Sequence, residues 1–96
     1  MLSVKEILNA MLELVEIEDA MELAKKSYDD DTEDRLIHLE SRLDILASRF
    51  SYDDCEFIEL LAKDFKDMRA KGCDMEELGN HFKIMIESFI EYENSI

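Results

Sequence analysis

Proline does not occur in this 96-residue chain, and glycine occurs only twice, at Gly72 and Gly79. That scarcity of chain-reversing residues is the tightest constraint on what the chain can become. A sheet protein of this length needs a turn about every eight to twelve residues, and turns draw heavily on Gly and Pro. The sequence therefore selects a few long helices joined by short connections. Its length suits one domain with one modest core. Residues 1–96 are read as a single helical domain.

Hydrophobic period and capping signals divide the chain into four helices, at about 3–26, 32–50, 52–71 and 75–93. Ser3 followed by Glu6 is the pattern of a capping box, and Leu2 is placed to staple against Ile7 or Leu8. Ile7, Leu14 and Met21 recur at heptad spacing, with Ala10, Ile17 and Ala24 between them. The pattern weakens at 17–19, where a break in the first helix is expected as an option. Ser27 to Thr32, with its three aspartates, reads as the main loop. Asp31 or Thr32 is the expected cap of the second helix. Leu36, Leu39, Leu43, Leu46 and Phe50 form that helix's clean apolar stripe.

Ser51 with Asp54, and Asp74 with Glu77, repeat the capping pattern at the next two helix starts. Gly72 is placed to end the third helix in a left-handed conformation. Ile58, Leu61, Phe65 and Met68 give the third stripe, and Leu78, Phe82, Met85, Phe89 and Tyr92 the fourth. Short connections imply antiparallel neighbours. The expected fold is all-α, a small antiparallel up-down-up-down four-helix bundle.

The first helix is more apolar than one core-facing stripe requires. Between Val4 and Ile17, nine of fourteen residues are apolar, whereas a surface helix needs about three or four per two turns. This helix is expected either to be central in the fold or to be buried against a second chain. The fourth helix is similarly broad, since Ile84, Met85 and Ile86 are consecutive. A homodimer built on Ile7, Met11, Leu14, Ile86, Phe89 and Ile90 is the corresponding expectation.

Chemistry-bearing patterns are sparse. Asp29 to Glu40 has the length of an EF-hand loop and acids at its first, third, fifth and twelfth positions. The sixth position, however, holds Asp34 where the turn needs glycine, and Leu36 and Leu39 belong to a helical stripe. Calcium binding is a remote alternative. Asp34 with His38, and Glu77 with His81, have the spacing of a surface ion pair and are not read as metal ligands. Cys55 stands among Asp53, Asp54 and Glu56, which should raise its thiol pKa and weaken it as a nucleophile. No phosphate loop, nucleophile elbow or catalytic set is present in the sequence. The expectation is a non-enzyme, with no catalytic residue, cofactor or metal.

Charge bounds the partners. Twenty-five acids against eleven bases give −14, which disfavours direct nucleic-acid binding and binding to an anionic membrane surface. No apolar run approaches a membrane span, no signal peptide is evident at the start, and two cysteines do not make a disulfide framework. A cytoplasmic location is expected. The acidity attracts a protein partner of basic or nucleic-acid-binding character. The leading functional expectation is a protein-binding module, an inhibitor or adaptor that occupies a partner's surface. The alternative is a DNA or RNA mimic that blocks a basic cleft, in the manner of inhibitors carried by phages and mobile elements. Contact residues are expected in Asp29, Asp30, Asp31, Glu33 and Asp34, and in Glu87, Glu91 and Glu93. The segment 72–96 is the most one-sided, with six acids facing only Lys83.

Overall fold

In the computed structural model, which describes residues 3–27 and 30–95, the chain forms four α-helices. They are α1 (Val4–Lys26), α2 (Thr32–Ser48), α3 (Tyr52–Ala70) and α4 (Met75–Asn94), and no strand occurs among the described residues. None of these helices is long and apolar enough to cross a membrane. The Leu2 staple and Asp29 lie outside the described residues.

Local capping chemistry accounts for most of the boundaries. The Ser3 hydroxyl accepts from the Glu6 N–H at 3.2 Å, Ser51 from Asp54 at 3.2 Å, and the Asp74 carboxylate from Glu77 at 2.8 Å. Each satisfies an N–H that the first helical turn leaves without a partner. At the end of α3, Gly72 adopts φ +84°. Cys73 N–H then reaches the Met68 carbonyl at 3.2 Å and Gly72 N–H the Arg69 carbonyl at 3.1 Å, a complete Schellman turn. Cys73 and Met68 both pack on the core beside it. The start of α2 differs in kind. Asp31 occupies the cap position without a side-chain cap hydrogen bond, and the buried Thr32 hydroxyl instead donates to the Ser27 carbonyl.

α1 runs unbroken from Val4 to Lys26, so the break near 17–19 does not occur. The apolar pattern weakens there because Glu18 and Asp19 form ion pairs to α3, while the backbone continues as helix. Ile17 is fully buried, and the adjacent acids reach across to α3: Glu18 meets Lys66 at 2.6 Å and Asp19 meets Arg69 at 3.0 Å. On the other flank, Glu13 lies 3.7 Å from Arg49, which caps the C-terminal end of α2, and Glu16 lies 3.9 Å from Arg42 of α2. Such part-exposed pairs contribute at most about 1 kcal/mol each, and their main effect is on register. The α2 partners descend as the α1 residues ascend, so the two helices are antiparallel. Between α3 and α4, Phe57 stacks on Phe89 at 3.9 Å and Phe65 meets Phe82 at 5.9 Å. That order again is antiparallel, completing the up-down-up-down bundle.

α1 is the helix on which the others assemble. It packs against α2, α3 and α4, and α3 packs more lightly against α4. The core draws Ile7, Ala10, Met11, Leu14, Val15 and Ile17 from α1. To these it adds Leu39 and Leu46 from α2, Ile58, Leu61 and Phe65 from α3, and Leu78, Phe82 and Ile86 from α4. The molecule is a slab of 50 × 32 × 16 Å with a radius of gyration of 14.9 Å, against about 12.5 Å for a compact domain of this length.

This arrangement accounts for the apolar excess of α1 within one chain. Ile7, Met11, Leu14 and Ile86 are 0, 1, 5 and 0 % exposed, and Phe89 and Ile90 are half-buried against the same core. The first four cannot form a surface for a second copy, because their side chains are already enclosed by the chain's own helices. Sedimentation at micromolar concentration is accordingly expected to give the 11.3 kDa monomer. A dimer would require an apolar surface other than these residues.

Candidate protein-binding face

α4 carries two chemically opposite faces. Leu78, Phe82 and Ile86 are buried, and Met85, Phe89 and Ile90 pack at the margin of the core. On the far side, Glu77, Ile84 and Glu91 recur at heptad spacing, with Asn80 and Glu87 between them, and all five are exposed. Residues three, four and seven apart share one face of a helix. Ile84 is therefore an apolar side chain, 64 % exposed, set within a strip of carboxylates. Tyr92, 65 % exposed, lies at the edge of the same strip.

The strip's charge is uncompensated. The ion pairs described above all join acids of α1 to bases of α2, to its C-cap Arg49, or to bases of α3. Among the described residues, no α4 carboxylate forms an ion pair, and Lys83 is the only base on that helix. Arg42, Arg49, Lys66 and Arg69 hold the flanks of α1, and α4 keeps five acids against Lys83.

The contact residues expected from sequence separate into three groups. Glu87 and Glu91 fall on the outward strip. Glu93 does not: about 200° round the helix from Glu91, it lies on the α3 side, one turn beyond Phe89, whose ring stacks on Phe57. Asp30, Asp31, Glu33 and Asp34 are exposed but sit where α1 ends and α2 begins. The alternating directions of the helices put that corner at the opposite end of the bundle from Glu87 and Glu91. Asp31 is moreover engaged with other groups. Glu77, Asn80 and Ile84 are absent from the expected set. Their signal was the complement of the apolar stripe, since Ile84 lies off the Leu78–Phe82–Phe89 face.

Other chemistry finds little support in the geometry. α2 begins at Thr32, so most of Asp29–Glu40 is helix and does not form a calcium loop. No three His, Cys, Asp or Glu side chains converge as a metal site among the described residues. His38 and His81 are both exposed, and His81 has its ring edge-on to Phe82 at 5.0 Å. The Cys55 thiol is half-buried, 3.4 Å from the Ala47 carbonyl oxygen. Burial pushes its pKa up, and Glu59 and Asp54 add to the shift. Sequence neighbours suggested the same direction, but burial is the leading cause and Glu59 comes from the next turn of the helix. A thiol held protonated in this way is a poor nucleophile.

An open groove of 410 Å³ runs between α1 and α2, with Ala20, Leu23, Ala24 and Leu39 beside Ser27, Arg35 and His38. Its volume is in the small-molecule range, but Arg35, its one fixed cation, already has a partner. No protein-family model matches this chain, and no curated protein or solved structure is significantly similar to it. The α4 strip joins exposed carboxylates to an exposed apolar side chain on one helix face.

Proposed function

We propose that this chain is a small, acidic, non-enzymatic protein-binding module, an inhibitor or adaptor that lays the outward strip of α4 on a basic patch of a partner protein. The supporting observation is the set of unpaired carboxylates, Glu77, Glu87 and Glu91, around the exposed Ile84. The carboxylates steer a cationic surface to the strip and set orientation. Ile84 supplies the apolar anchor that such an interface needs at its centre. Cytoplasmic residence belongs to the same proposal and is supported by the two free thiols, Cys55 and Cys73.

The test is capture of partners from a host lysate on immobilised protein, washed at about 0.1 M and then about 0.5 M salt, where screening lengths differ by roughly twofold. The expected result is a basic protein whose retention falls with salt but does not vanish, because Ile84 contributes a salt-insensitive part. Complete release, with displacement by added DNA or RNA, assigns the chain to nucleic-acid mimicry instead. Retention indifferent to salt sinks the role given to the carboxylates.

A further inference from the structure

The capping pattern at the start of α3 is imperfect in a way that matters at the far end of the chain. Ser51 accepts from the Asp54 N–H, but a full capping box also returns a bond from the third residue's side chain. Asp54 is one methylene shorter than the Glu that usually does this. Its carboxylate turns inward instead, where the residue is 8 % exposed and its Oδ1 is buried without a donor. A buried carboxylate oxygen lacking a partner is costly.

The stack of Phe57 on Phe89 sets Asp54, one turn back along α3, opposite Glu93, one turn further along the antiparallel α4, and the two side-chain carboxyls share a hydrogen bond there. The antiparallel pairing of α3 and α4 creates the encounter, and the stacked rings of Phe57 and Phe89 hold the two helices together beside it. Among the described residues, the charged groups acting on Glu93 are Asp54 and Asp53, both on α3 and both acidic, and no base on α1, α2 or α4 is among them. No metal site forms there among the described residues.

We propose that Asp54 and Glu93 form a proton-operated latch that fastens the last turn of α4 to the first turn of α3, closed when the pair holds one proton and loosened when it holds none. The helix dipoles decide which side keeps the proton. Asp54 lies in the first turn of α3, where the dipole favours negative charge, and Glu93 in the last turn of α4, where it opposes it. No basic residue occupies that last turn to offset the effect. Glu93 therefore donates and Asp54 accepts, which supplies a donor to a carboxylate that otherwise lacks one.

The hydrogen bond with Asp54 is the main cause that pushes the Glu93 pKa above the ordinary carboxyl value, with burial and the charges of Asp54 and Asp53 adding to it. A carboxyl raised by folding contributes stability that is fully present below its ordinary pKa. That stability is lost as pH rises through the raised value. The latch is thus closed below that raised value and loosened above it, independently of what partner α4 binds.

Two measurements test this. The side-chain carboxyl of Glu93 is followed by NMR through a pH titration in the wild type and in Asp54→Asn. Its midpoint is expected above the ordinary value of about 4.3 in the wild type and to fall in D54N. Thermal melts of wild type and Glu93→Gln are then compared at acidic and neutral pH. An amide at 93 donates at every pH, so E93Q is expected to raise Tm by about 4 °C at neutral pH and to leave it unchanged in acid. An ordinary Glu93 midpoint in the wild type, or an E93Q shift equal at both pH values, overturns the latch.

Discussion

Phe82→Ala is expected to leave the chain largely unfolded at physiological temperature. The Phe82 side chain is 1 % exposed and sits where α4 meets the rest of the core, with the Phe65 ring 5.9 Å away. Removing the ring forfeits its burial and leaves a cavity that the surrounding helices fill only in part, at a cost of about 3–5 kcal/mol. Small domains have total stabilities of about 5–15 kcal/mol, and a flattened bundle with one central helix belongs at the lower end. Urea unfolding followed by far-UV circular dichroism reads the loss directly. Leu60→Ala is the control, since Leu60 is equally apolar but 63 % exposed. It is expected to change stability by less than about 0.5 kcal/mol. A Phe82→Ala protein as stable as that control contradicts the assigned core.

The second large effect is expected on binding. Glu87→Lys with Glu91→Lys reverses the charge of the α4 strip, and Ile84→Ala removes its apolar anchor. Each change is expected to weaken capture of the partner by about 2 kcal/mol or more, on the order of 30-fold in Kd. Folding is expected to survive both, because these side chains face away from the core. Asp30→Lys with Asp34→Lys makes the same charge change at the other end of the bundle and is expected to be nearly neutral. Equal losses from both pairs would mean that net charge alone attracts the partner, and the α4 strip would lose its special standing.

Secondary structure was legible almost in full because its causes are local. A serine or aspartate three residues before an acid marks a helix start through one hydrogen bond, and Ser3, Ser51 and Asp74 all make that bond. Gly72 ends α3 because a left-handed residue is needed there and glycine adopts it without steric cost. The core stripes on α2, α3 and α4 follow from the helical period, except that Tyr92, expected in the fourth stripe, is 65 % exposed. The start of α2 was less legible, because Thr32 acts on the carbonyl of Ser27 across the loop instead of capping the helix it opens.

The candidate site was legible only in part. Glu87 and Glu91 stood out as acids in the most one-sided segment of the chain. Glu93 is two residues further on, and that step of about 200° around the helix carries it to the α3 side. Its role depends on Asp54, which is distant in sequence and adjacent only because α3 and α4 run antiparallel. The acids around Asp30 were equally conspicuous in composition, yet they occupy another end of the bundle. Composition counts charges without their directions.

The sequence by itself determined the helices, their caps and which residues are apolar enough to be buried, since each of these depends on contacts within about one turn of helix. The tertiary structure decided what those helices bury against. It made α1 the common partner of the other three, so that an apolar excess equally suited to a second chain was used inside one. It also assigned Arg42, Arg49, Lys66 and Arg69 to the acids of α1 and left those of α4 without an ion pair among the described residues. Pairing of this kind depends on distances between residues far apart in the chain, and only the packed helices set those distances.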